Sequence, residues 1–196
     1  MEAQQQEQQK PQEIQTKKKQ FKNTSVRTKK RENVLESIYS RALISRNVVL
    51  PMISIGKNIQ EVIEKNVAIL FEGKCTVEGF IKPQSTKVIT YSSGIIQGNN
   101  ISFQVVFECL VCFPVEGMLI QCIAKNITKA GIRAESSIEK PSPIVVFIAR
   151  DHHFNVARFS NIQEGDTFTA RVIGQRFELN DKYISIIAEL VVNRDQ

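Results

Sequence analysis

The sequence is poor in the groups that chemistry needs. It has only two histidines, His152 and His153, and they are adjacent. On a strand they would point to opposite faces, so they could not chelate one ion together. There is no Gly-rich phosphate loop and no G-x-S-x-G turn. Asp151, Asp166 and Asp181 stand singly, without metal-ligand spacing. An enzyme needs a nucleophile, an acid–base pair or a metal in a pocket, so this inventory argues against a catalytic centre and for no cofactor.

Long apolar runs are missing too. The longest are Val67 to Phe71, Cys109 to Phe113 and Ile144 to Ala149, whereas a membrane helix needs ~20 residues; no membrane partner is expected. The N-terminus, MEAQQQEQQK, has no apolar core of a secretory signal. Four cysteines without such a signal argue for a reducing compartment and against a disulfide framework. Cys109 and Cys112 match C-x2-C, but they sit within an apolar strand, where an offset of three sends them to opposite faces, and no second pair exists; they read as core cysteines.

An excess of basic charge is absent from the folded body. The net charge of +6 belongs to residues 1–31, with nine Lys/Arg and three Glu; the other 165 residues hold seventeen of each sign. A nucleic-acid interface therefore has to be a local patch. At ~100–200 residues per domain, a chain of 196 is one domain or two small ones.

What is there divides into three segments. Residues 1–33 are Gln-rich and then Lys/Arg-rich, with too few apolar side chains to offset chain entropy, and read as a disordered tail. Such a tail suits a polyanion-binding arm, a nuclear import signal or mere solubilisation. Residues 34–114 read as an α+β unit. Residues 37–50 fit both a helical stripe and a strand; Ile44, Val48 and Val49 favour the strand. From Asn58 to about Phe71, Ile59, Val62, Ile63, Val67 and Leu70 share one helical face, and Gly73 stands where a left-handed residue ends a helix. Alternation then marks about three strands: Cys75 to Ile81, Val88 to Ile96, and, after a Gly98-Asn99-Asn100 turn, Ile101 to Phe113.

Residues 115–196 read as all-β. Met118–Ile127, Ile132–Ile138, Ile144–Ala149, Phe168–Phe177 and Tyr183–Val192 are five strands separated by turn signals, which suggests an OB-fold barrel. Such barrels bind single strands with aromatic platforms and cations. The candidates are Lys125, Lys129, Arg133, Phe147, Arg150, His152, Arg171, Arg176 and Lys182, with His153 and Arg158 beside them. Arg171 turns outward by alternation; Arg176 does so only if Gly174 makes a bulge. Ten Lys/Arg balance ten Asp/Glu over residues 114–196, so RNA affinity should be weak, with a shallow salt dependence.

The order of these segments, with the join FQVVFECLVCFPVEG over Phe103–Gly117, resembles the seventh subunit of eukaryotic RNA polymerase II, a family with an archaeal counterpart and with paralogues in polymerases I and III. The segment GMLIQCIAKNITKAGIRAE (Gly117–Glu135) is similar to that family's first barrel hairpin. FTARVIGQRF (Phe168–Phe177) is similar to its fourth barrel strand, and NVVLP (Asn47–Pro51) to its opening strand. The resemblance spans about residues 38–192. It implies a non-catalytic stalk subunit of a DNA-dependent RNA polymerase, with polymerase core subunits, a fourth-subunit-like partner and nascent RNA as partners. It also implies docking at the clamp through a tip, carried over to Tyr91, Ser92, Ser93, Gly94, Ile95 and Ile96, where exposed isoleucines need a partner to cover them. Around Gly131, Ala130 and Arg133 stand where RNA-binding barrels often place aromatics, and the basic tail is not a family feature. With a link from Ala149 to Gly165 shorter than in many members, these departures suggest a divergent copy, such as one from a large DNA virus or a protist, working in the nucleus or, if viral, in a viral factory or virion. The alternative is a free-standing OB-fold RNA-binding protein of translation or RNA decay, which would bind RNA without polymerase.

Overall fold

The computed structural model describes residues 37–191. The expected disordered tail, residues 1–33, lies outside the described residues, as does Val192.

The N-terminal part is an antiparallel sheet of six strands: the expected opening strand and, after Gly73, five strands rather than about three. Its frame is two 13-residue strands, β1 (Tyr39–Pro51) and β6 (Asn100–Cys112), paired from Tyr39↔Cys112 to Pro51↔Asn100. The other edge of β6 carries β3 (Gly79–Ile81), β4 (Lys87–Tyr91) and β5 (Ile95–Gln97) in turn, and β2 (Cys75–Thr76) pairs with β3. Two expected strands are therefore split. Cys75 to Ile81 is a hairpin whose turn exposes Val77, and all three residues of β3 are buried, which two-residue alternation does not foresee. Val88 to Ile96 is interrupted at Ser92–Gly94.

Helix α1 (Ile59–Phe71) covers one face of this sheet. Its buried stripe runs Ile63 and Val67 and ends in Phe71, whose ring stacks on Phe107 at 5.4 Å. Leu70, expected on that stripe, is exposed instead, because the row of contacts continues at i+4 rather than i+3. Gly73 adopts φ +70° just past the helix, and its N–H bonds Ile81 O at 2.9 Å, so the chain reverses directly into the β2–β3 hairpin. A half-buried ion pair braces the hairpin: Arg46 donates two bonds of 2.5 and 2.7 Å to Glu78, which also accepts from Thr76.

The C-terminal part is a closed barrel of five strands in the order β10-β11-β9-β8-β7: β7 (Leu119–Ile127), β8 (Gly131–Ser136), β9 (Ile144–Ala149), β10 (Thr167–Arg176) and β11 (Ile184–Leu190). Only the β11–β9 pair is parallel. This is the expected OB-like architecture, and alternation fills it: Ile184, Ile186, Ala188 and Leu190 point in from β11. A short helix, α2 (Ala157–Asn161), lies between β9 and β10 and buries Phe159.

The sheet and the barrel share a core. Ile38, just before β1, and Cys75, Phe80 and Cys112 of the sheet pack into the barrel's apolar cluster. Cys75 also exchanges backbone bonds with the β10–β11 turn, its N–H to Asp181 O at 2.8 Å and its O from the Asn180 N–H at 2.9 Å. Lys82 pairs with Glu139 at 3.1 Å, and Phe113 meets Phe177 edge to face at 6.1 Å.

Candidate functional site

The expected RNA residues fall on the outside of the barrel but do not form one patch. Arg133 and Phe147 are register partners on β8 and β9, both exposed, so a cation stands beside an aromatic ring. Phe147 continues on β9 to its parallel partner Ile187 on β11, which faces Gly174 on β10. A band therefore crosses four strands as Arg133, Phe147, Ile187 and Ile173, and it is apolar at one end and cationic at the other. Ile187 and Ile173 were not legible as surface residues, because each sits among core-like neighbours in the sequence.

Three of the expected cations have acidic neighbours. Lys125 lies 3.6 Å from Glu135, Arg171 3.3 Å from Glu189, and Arg176 3.4 Å from Glu178. These are exposed pairs of small energetic worth, but they cancel the local field a polyanion would feel. Arg171 does turn outward. The register shifts between Val172 and Gly174, so Ile173 is the extra residue of a bulge and Arg176 turns outward as well.

Arg150 is committed elsewhere. Its Nε donates to Lys129 O at 3.0 Å and its Nη2 to Thr128 O at 3.2 Å, and it lies over the Phe159 ring. It holds the β7–β8 turn, leaving Lys129 and His152 exposed at that end of the barrel. Lys182 is exposed at the other end, next to Tyr183 and the start of β11, and Arg158 is exposed on α2.

The histidines do not lie on a strand. Arg150–His152 form a short 3-10 turn that sends His152 to solvent and His153 inward. His153 Nδ1 lies 2.7 Å from Ala149 O, its Nε2 accepts the Leu190 N–H at 3.0 Å, and the ring stacks on Phe159 at 5.2 Å. All of its polar capacity is used within the fold.

Cys109 and Cys112 are both buried, and they face different cores: Cys109 the helix side of the sheet, Cys112 the barrel. They cannot converge on one ion. Burial pushes their thiols up to about 11 and about 12, and does the same for Cys75 (about 11) and Cys122 (about 12). Among the described residues no three His, Cys, Asp or Glu side chains cluster as metal ligands.

The expected docking segment is not a hairpin tip. Tyr91 packs edge to face on Phe103 at 6.2 Å, and the Ser92 N–H donates to Gln104 O at 2.9 Å. Ser93 is exposed. Gly94 lies so close to β6 that a Cβ there would collide with Ile101 and come within 2.9 Å of the Phe103 ring. The reversal itself comes later, at Gly98, with φ +61°. Ile95 pairs with Ser102 and Ile96 with Ile101, so their side chains leave opposite faces of the sheet. They are 65% and 68% exposed, so neither folds back into the core.

They are not alone. Ile95, Ser102 and Val49 share one row, and the 3-10 turn Met52–Ser54 is held against the hairpin by Met52 N–H to Asn99 O at 2.9 Å. Val49 and Met52 are exposed, and Ile53 is 95% exposed. One end of the sheet thus presents five apolar side chains from two chain segments: Val49, Met52, Ile53, Ile95 and Ile96. Sequence reasoning reached only the last two, because the first three adjoin a strand that reads as core.

No family model matches the chain. The chain is 30% identical over 173 residues, 80% of its length and 83% of the relative's, to a protein of Acanthamoeba polyphaga mimivirus that carries the name of a DNA-directed RNA polymerase subunit, L376. It is 22% identical over 115 residues, 58% of its length and 62% of the relative's, to DNA-directed RNA polymerase II subunit 7 of Arabidopsis thaliana. Among solved structures, an uncharacterized protein of Methanocaldococcus jannaschii overlaps 40% of this chain and 95% of its own at 15% identity, with a TM-score of 0.32, too low to bear weight. A relative 30% identical over four-fifths of this chain shows the family: the chain belongs to the seventh-subunit family of DNA-directed RNA polymerases.

Proposed function

We propose that this polymerase subunit is a non-catalytic stalk component. Its N-terminal part, residues 34–114, seats on the polymerase clamp through the apolar end of the sheet. Its barrel, residues 115–196, reaches nascent RNA, and a fourth-subunit-like chain completes the stalk. It works where its polymerase works, in the nucleus or a viral factory.

The observation that carries this reading is the set of exposed side chains Val49, Met52, Ile53, Ile95 and Ile96, which crowd one end of the sheet on both of its faces. Large aliphatic side chains grouped at an exposed end are costly to leave in water and mark a surface that another protein covers. The docking set therefore grows from Tyr91–Ile96 to include Val49, Met52 and Ile53, while Tyr91 and Gly94 support it from beneath. On the barrel, the balanced charge and the acid-paired cations fit an RNA contact that guides a strand already delivered by the polymerase better than one that captures RNA unaided.

The test is incorporation. Ile53→Asp combined with Ile95→Asp should fold as the parent does, since both side chains are exposed, and should fail to co-purify with the large polymerase subunits. Full incorporation of that variant would remove the tip from the account. Arg133→Glu should weaken crosslinking to nascent RNA and leave incorporation unchanged; unchanged crosslinking would remove the Arg133 face.

A further inference from the structure

A cleft of about 370 Å3 lies on the outside of the barrel, at the end away from the β7–β8 turn. Its floor includes Ile123 and Val145. The loop joining β8 to β9 forms one wall at Lys140, and Tyr183, 45% exposed just before β11, forms another. Five charged side chains line it. Lys125 is matched by Glu135 at 3.6 Å, and Glu139 is engaged by Lys82 at 3.1 Å, which also ties the loop to the first sheet. Among the described residues, the charges left over are Arg133 and Lys140, both positive and both exposed. The cleft thus sets one phenol ring and two cations among aliphatic side chains and two serines.

That combination matches one chemistry. The aliphatic side chains and the ring favour a ligand with a flat apolar face, and the cations favour one that carries negative charge. A flat heterocycle that carries phosphate satisfies both, with its face on the aromatic ring and its charge at the cations. The volume is at the low end of small-molecule sites, so it admits a single heterocycle and not a stacked duplex. We propose that this cleft holds one unstacked base of single-stranded RNA, lying on Tyr183, with Arg133 and Lys140 at the flanking phosphates. The strand continues toward Phe147, which borders Arg133 and lies ~13 Å along the strands from Tyr183 at ~3.3 Å per residue. The inference rests on the reading that the barrel contacts RNA, and it places that contact at the end bearing Tyr183, Lys140 and Lys182 rather than at the Lys129–Arg150–His152 end.

The test uses the full chain and a fluorescein-labelled octauridylate, read by anisotropy and by ultraviolet crosslinking with peptide mapping. Tyr183→Ala should weaken binding at least about fivefold, the scale of one lost base–aromatic stack, and abolish crosslinks to the cleft. Tyr183→Phe should bind as the parent does. Lys140→Glu should weaken binding and flatten the dependence on salt, by a log–log slope of about 0.7 per lost phosphate contact. If the parent crosslinks at Phe147 or the β7–β8 turn and Tyr183→Ala binds as tightly, the cleft assignment is overturned while the RNA reading stands. If the parent neither binds nor crosslinks the octamer, alone or in the polymerase, both are overturned. If uridine monophosphate alone competes at the octamer's own affinity, the cleft is a free-nucleotide site and the proposal fails.

Discussion

The tautomer that satisfies both backbone partners of His153 is the neutral one with its proton on Nδ1: that N–H donates to Ala149 O, and Nε2 accepts from Leu190. His153→Phe should keep the stack on Phe159 and leave a buried carbonyl and a buried N–H unpaired. At about 1–3 kcal/mol for each orphaned group, the expected loss is roughly 2–6 kcal/mol in urea denaturation; an unchanged midpoint would show that the two bonds contribute nothing. Nothing in the sequence marks this residue as structural, because one partner is a backbone atom 37 positions away. Glu78 makes a second residue-scale case. Burial raises its carboxyl, but hydrogen bonds from Arg46 and Thr76 outweigh burial and hold it below the ordinary carboxylate range. A lowered folded-state value adds stability that is complete above the ordinary range and is lost as pH falls through the lowered one. Glu78→Gln should therefore destabilise the protein at pH 7 and flatten the acid limb of its stability curve. A variant whose acid limb keeps the parent's slope would contradict that assignment.

Among the elements, those built on strict alternation were readable in advance. The five barrel strands and the outward turn of Arg171 follow from side-chain period, and Gly174 marked where a bulge would turn Arg176 outward. The end of α1 at Gly73 was equally plain. What could not be read were elements whose faces are set by distant packing. Gly79, Phe80 and Ile81 are all buried because β3 lies between β6 and β2 and faces the barrel on one side. The break between β4 and β5 likewise depends on how closely Gly94 approaches Ile101 and Phe103. Gly94→Val should push β5 off β6, at a cost of about 1–3 kcal/mol for an overpacked contact. Amide exchange at Ile95 and Gln97 should speed up while exchange in β7–β11 stays slow; equal protection in variant and parent would show that the join tolerates a side chain.

At the scale of the molecule, the sheet and the barrel are joined by shared packing and not by a linker alone. Phe80, buried in the cluster that spans both, is the side chain whose loss should be felt in each part. Phe80→Ala should cost about 3–5 kcal/mol, and circular dichroism should still record one cooperative transition. Two separated transitions in the parent would mean that the halves fold independently. On the proposed reading, this shared packing couples the apolar sheet end that would seat on polymerase to the barrel that would meet RNA. The charge balance of the barrel and the single segments of the resemblance were legible in the sequence, whereas the apolar sheet end, assembled from Val49, Met52, Ile53, Ile95 and Ile96, exists only after β1 and β5 both pair with β6. The most direct measurement is affinity purification of the tagged full-length chain from its native cell or infection, with quantitative mass spectrometry, beside the Ile53→Asp/Ile95→Asp variant. The expected result is recovery of the large polymerase subunits in near-equal amount with the parent chain and their loss with the variant. A parent chain recovered free of polymerase, or a variant recovered with as much polymerase as the parent, would contradict it.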